Sequence, residues 1–109
     1  MEDSIKLTRI LKIKSIRGFK IYCIFNNGET RVIDFKELFN KWKVTKEDPE
    51  YLLLDENEFK KVKLRNQTLS WKNIGIELID IKTWNKTIQP YELSPNVLFE
   101  NSEPTSALS

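Results

Sequence analysis

The sequence predicts a small α+β domain: a small antiparallel sheet built from two hairpins, with short helices packed on it. Two β-branched and aromatic runs are each followed by a second run across an Asn-containing turn, which gives the hairpins. Between them, Phe35, Leu38, Phe39 and Trp42 recur at i, i+3, i+4 and i+7, the spacing of a helix with one apolar face. The 109 residues suffice for one such domain, and 39% hydrophobic with 31% charged residues suits a packed globule.

Along the chain, Ile5, Leu7, Leu11 and Ile13 alternate with Lys6, Thr8 and Lys12, a period of two broken at Arg9 and Ile10. A half-buried strand is expected there. Phe19 to Phe25 is apolar on both faces, as in a central strand. Asn27-Gly28 then predicts a two-residue type I′ loop, which would set Cys23 opposite Val32 and Ile24 opposite Arg31. The returning run, Glu29 to Ile33, meets Asp34, and Asp34 with Glu37 makes an acidic variant of the capping box. Asp48 before Pro49, and Asp55 with Glu58, repeat the start signal, so two more short helical turns are expected, the first with Leu52 and Leu53 as its apolar pair.

A second hairpin spans Lys61 to Arg65 and Thr68 to Trp71 across Asn66-Gln67. Its register would put Leu64 opposite Leu69 and Val62 opposite Trp71 on one apolar face. Ile74 to Ile81 alternates as a further strand, and Ser94-Pro95 starts a helical turn ahead of Phe99. Residues 1–102 read as one domain, and 103–109, which carry no core-forming pattern, as a disordered tail.

Composition removes most chemistry. There is no His, hence no Ser-His or Cys-His pair, and one Cys leaves zinc only carboxylates. Gly18, Gly28 and Gly75 stand too far apart for a phosphate loop. Glu29 with Asp34, or Asp55 with Glu58, are the remaining carboxylate pairs, and helix capping already accounts for Asp34, Asp48 and Asp55. No catalytic, cofactor-binding or metal-ligating set is assigned, and the chain is expected not to be an enzyme. Cys23, within Ile21 to Phe25, reads as a small buried hydrophobe. Acidic Glu2 and Asp3 occupy the place of a basic leader region, and no apolar stretch is long enough for a membrane; a cytoplasmic location is expected.

The net charge is +2, but its distribution is uneven. Lys6, Arg9, Lys12, Lys14, Arg17 and Lys20 follow one another without an acidic residue, and Glu47, Asp48, Glu50, Asp55, Glu56 and Glu58 without a basic one. Phe19, Phe25, Phe35, Phe39, Trp42, Phe59 and Trp71 fall on expected core faces, whereas Tyr22 and Trp84 do not.

The ordered set Phe25-Asn26-Asn27-Gly28-Glu29-Thr30-Arg31, Asp34, Leu38-Phe39, Phe59 with Val62, Trp71-Lys72-Asn73, Leu93-Ser94-Pro95 and Leu98-Phe99-Glu100-Asn101-Ser102 resembles a family of small bacterial domains catalogued as domain of unknown function twenty-four forty-two. The resemblance runs from about Ile10 to Ser102 and departs between Asn73 and Leu93, where the family has a much shorter connection; Ile76 to Tyr91 looks like an insertion. It implies a compact α+β domain without assigned activity, often encoded beside another small protein in an arrangement like a toxin-antitoxin pair.

The first functional expectation is therefore a non-enzymatic protein-binding module, the antitoxin-like or regulatory member of a bacterial toxin-antitoxin or defence-associated locus. Its contact residues would come from the inserted segment: Trp84, Tyr91, Ile79 and Ile81. A second is a nucleic-acid-binding accessory protein using Lys12, Lys14 and Lys20, if these share a face. A third is an inhibitor protein of a phage or mobile element.

Overall fold

A computed structural model describes residues 7–105. Ile5 and Lys6, in the expected first strand and basic stretch, and positions 106–109 of the expected tail lie outside the described residues. The fold is α+β, with two antiparallel sheets rather than one: each hairpin founds its own. The first sheet has the order β1-β2-β3-β7, from β1 (Ile10–Arg17), β2 (Lys20–Phe25), β3 (Thr30–Asp34) and β7 (Ser102–Pro104). The second has the order β4-β5-β6, from β4 (Lys63–Arg65), β5 (Thr68–Ile79) and β6 (Lys86–Glu92). Among the described residues three short helices, α1 (Phe35–Lys41), α2 (Glu56–Phe59) and α3 (Pro95–Glu100), and a 3-10 turn over Pro49–Leu54 accompany the sheets.

Strand β1 departs from the simple alternation. Extra residues at Leu11 and Lys14 bulge it against β2, so Ile10 faces Phe25, Ile13 faces Cys23 and Ile16 faces Ile21. Two bulges convert a strand's period of two into an inward set spaced by three, leaving Leu7 and Leu11 in solvent. The irregularity at Arg9 and Ile10 was the visible trace of this. The Asn26 side chain continues the ladder beyond the bulge, accepting from Arg9 N at 3.0 Å and donating to Leu7 O at 2.8 Å.

The β2–β3 loop corrects the expected register by one residue. Phe25 N donates to Glu29 O and Gly28 N to Phe25 O, a three-residue loop in which only Gly28 has positive φ. Cys23 therefore lies opposite Arg31 and Ile24 opposite Thr30. The two-residue loop with two positive-φ residues occurs instead at Asn66-Gln67, with φ of 53° and 60°. There the expected pairing of Leu64 with Leu69 holds. Leu64 nevertheless stays exposed, because β4 is a three-residue edge.

Two of the expected caps form: Asp34 accepts from Glu37 N and Asp55 from Asn57 N. Asp48 does not cap the 3-10 turn; its carboxylate accepts from Thr45 N, upstream. The tighter turn buries Leu53 and turns Leu52 outward. Helix α1 stops before Trp42, because Lys43 at φ 55° breaks it, and the Trp42 ring is exposed beside Phe39. Ser94 accepts from Asn96 N at the start of α3.

The core lies where helices and sheets meet. Phe35, Phe59 and Trp71 pack edge to face or tilted with centroids 5.2–5.8 Å apart, and the Trp71 indole donates to Phe59 O at 2.8 Å. Cys23 is fully buried, and burial pushes its thiol up to about 12. Ile10 N donates to Gln67 O, joining the first sheet to the turn of the second.

The expected tail is partly a strand. Residues Ser102–Pro104 pair antiparallel with β3, and Arg31 fastens them: its Nε donates to Ser102 Oγ at 2.6 Å and a terminal nitrogen donates to Ser102 O at 3.0 Å. The same guanidinium lies 4.2 Å from the Phe99 ring centre and pairs with Glu29 at 2.6 Å.

Candidate protein-interaction site

Strand β5 merges what the sequence reads as two strands, Thr68 to Trp71 and Ile74 to Ile81. Its first half is core: Leu69 and Trp71 are buried. At Lys72-Asn73-Ile74 it bulges, since Trp71 opposes Tyr91 while Gly75 already opposes Pro90. Pro90 sits at this bulge on an edge strand, the setting in which a sheet tolerates proline. Beyond the bulge β5 and β6 run on as a two-stranded arm, ending in the loop Asp80–Asn85.

Every residue from Glu77 to Gln89 is exposed. A ribbon of two strands with both faces in water is at best marginally stable by itself. Here it also carries large apolar side chains: Ile81, Trp84 and Ile88 are 78%, 75% and 73% exposed, and Leu78 and Ile79 about half. Register puts Ile79 and Ile88 on one face of the arm and Ile76 and Leu78 on the other. Gly75 makes room for Ile88, whose γ-methyl lies 2.6 Å from where a Cβ would stand.

At the tip the backbone is specific. Trp84 N donates to Asp80 O and Asp80 N to Asn85 O, while the Asp80 carboxylate accepts from Lys82 N. Closing this loop holds Trp84 at φ 60°, a left-handed conformation that costs a bulky residue about 1–2 kcal/mol. An indole 75% exposed gains little burial to offset that strain.

Of the four contact residues expected from sequence, the structure brings Ile79, Ile81 and Trp84 together at the arm's end. Tyr91 is corrected. It is only 6% exposed at the arm's base, its ring 5.9 Å from Trp71 and its hydroxyl donating to Glu50 Oε2 at 2.5 Å. Burial and the Glu50 carboxylate hold its phenol far above the ordinary tyrosine range. Its apolar body fits the core and its hydroxyl found an acceptor, so size alone was no sign of exposure. Leu78 and Ile88 belong to the arm's apolar surface too; Ile88, between Thr87 and Gln89, carried a signal of alternation, whereas Leu78, followed by Ile79, did not. Between the arm's base and the 3-10 turn lies an open cleft of about 720 Å³, with Pro49, Arg65, Ile76, Leu78 and Pro90 among its walls.

Lys12, Lys14 and Lys20 share the outer face of the first sheet. Lys12 lies opposite Ile24, Lys14 is the bulge residue beside Ser15 opposite Tyr22, and Lys20 lies opposite Asp34. The face is not uniformly basic, because Asp34 and Glu103 stand along its other side. Of the carboxylate pairs, Glu29 is engaged by Arg31, and hydrogen bonds from Asn73 and then Lys61 hold Glu58 below its usual range. Among the described residues no group of three or more His, Cys, Asp or Glu side chains gathers as metal ligands, and no helix is long and apolar enough to cross a membrane.

Compared with protein-family models, curated proteins and solved structures, the chain gives no significant match. The resemblance noted above therefore rests on its own residues.

Proposed function

We propose that the chain is a protein-binding module that inserts the tip of its β5–β6 arm into an apolar groove of a partner protein. One observation carries this reading: Ile81, Trp84 and Ile88 stand in water on an arm that no other element among the described residues covers. Burying each such side chain in a partner would contribute about 1.5–3 kcal/mol, the scale of an interface hot spot. The body supplies a rigid mount through Trp71, Tyr91 and the Tyr91–Glu50 hydrogen bond. Within the resemblance, such a module acts as the antitoxin-like or regulatory member of a two-protein pair, and the arm, being the inserted segment, sets its choice of partner.

The test uses the tagged full chain and two tip variants, Ile81→Ser and Trp84→Gly, as parallel baits in extract of the source cells, with captured proteins identified by mass spectrometry. A protein retained by the wild type and by Leu52→Ser, an exposed apolar position away from the arm, but lost from both tip variants supports the proposal. An identical set of proteins on all four baits overturns it.

A further inference from the structure

The outer face of the first sheet has a pattern that complements itself. Read across the strands, one row runs Lys14 and Ser15 on β1, Tyr22 on β2, Val32 on β3 and Glu103 on β7. The next row toward the β1–β2 turn runs Arg17, Lys20 and Asp34. Each row is basic at the β1 side, acidic at the β3–β7 side, and the first is apolar between. The buried side chains of α1 and α3 join the core on the other side, with Ile21, Cys23 and Ile33. On this face only Glu37 of α1 and Glu100 of α3 reach the border, where with Tyr22, Asp34 and Glu103 they frame a hollow whose floor is Val32, 9% exposed. Among the described residues Lys12, Lys14, Arg17 and Lys20 form no ion pair with a carboxylate.

We propose that this face is an interface between two copies of the chain. Two sheets packed face to face by a two-fold axis can have that axis along the strands or across them. An axis across the strands lays β1 on β1 and sets lysine against lysine. An axis along the strands lays β1 over β7 and leaves every row in place. Lys14 then faces Glu103 of the second copy, Tyr22 faces the hollow over its Val32, and Lys20 faces its Asp34, each contact occurring twice. Charge thus selects one of two packings, which is the way electrostatics fixes register at an interface.

The footprint is small. Four strands about 4.8 Å apart, over rows spanning about 13 Å, cover less than a standard interface needs, so the dimer is weak and salt-sensitive. It rests on different residues from the arm and does not depend on the partner proposed above.

Sedimentation equilibrium of the full chain at low salt, from about 5 to 500 µM, tests it with Lys14→Glu, Glu103→Lys and their equimolar mixture. The wild type is expected to dimerise and to weaken at least about tenfold in 0.5 M salt. Each single variant, which sets like charges together twice, should weaken at least about tenfold. The mixture should recover the dimer, since every facing pair is then opposite in sign, and recovery also shows that both variants fold. A wild type that stays monomeric at the highest concentration overturns the proposal. So does a mixture that fails to recover, a dimer lost through Trp84→Gly instead, or a monomer whose lysine face binds a single-stranded oligonucleotide.

Discussion

Replacing Arg31 by Ala should be among the most damaging single changes outside the apolar core. Its guanidinium makes two hydrogen bonds to Ser102, at 2.6 and 3.0 Å, and covers the Phe99 ring at 4.2 Å. Hydrogen bonds from a charged donor contribute about 1.5–3 kcal/mol each, and a partly desolvated cation over a ring about 1–2 kcal/mol. The pair with Glu29 adds little, since that carboxylate is about half exposed and exposed pairs contribute at most about 1 kcal/mol. These share one side chain and do not sum, so the expected loss is about 3–5 kcal/mol, against a total of about 5–15 for a domain of this kind. Urea unfolding should show it as a lower midpoint. Amide exchange at Ser102 and Glu103 should rise further than elsewhere, because β7 loses its fastening to β3. Lys at this position keeps the charge but not the fork and should recover less than half of the loss. If Arg31→Ala lies within about 0.5 kcal/mol of the wild type with unchanged exchange at Ser102, the account of β7 is wrong.

Three further outcomes follow from the same geometry. Asp34→Ala and Asp55→Ala should each cost about 1 kcal/mol in urea and disturb helix starts, whereas Asp48→Ala should act on the Thr45 loop and leave helical circular dichroism unchanged. Tyr91→Phe should cost about 1–2 kcal/mol at neutral pH through the lost bond to Glu50. In alkali the sign reverses: the folded phenol stays protonated while the unfolded one ionises near pH 10, so the unfolded state binds fewer protons and wild-type stability falls with rising pH. That decline, about 1.4 kcal/mol per pH unit from this group above pH 10, should be missing from Tyr91→Phe, and equal slopes in the two proteins would refute it. Cys23, pushed up to about 12, has the same sign and should leave a residual decline from about pH 9 in both.

How much of this could be read from the sequence depended on whether a signal was local. Asp34, Asp55 and Ser94 announced their helices because a cap is decided within three residues. The Asn66-Gln67 hairpin was legible because its apolar pairs agree in register. The loop at Asn27-Gly28 was not, because Asn26 is drawn out of the β2–β3 pair to bond Arg9 and Leu7, a contact across 17 and 19 residues that no dipeptide preference contains. The bulges of β1 and the strand at Ser102–Pro104 were hidden for the same reason: one answers the core and the other answers Arg31. At the site, Ile79, Ile81 and Trp84 could be named because no apolar partner in the pattern claimed them. Tyr91 could not be told from them, since what buries it is Trp71 and a carboxylate 41 residues away.

Trp84→Gly gives the most direct test of the claim that the arm is a contact surface. Glycine suits the left-handed backbone at φ 60°, so the strain removed offsets the extra freedom of the unfolded chain and the midpoint of thermal unfolding should shift by no more than about 4 °C. Affinity for the captured partner, measured by calorimetry, should fall at least about thirtyfold. A variant that melts like the wild type and still binds the partner equally well would contradict the account.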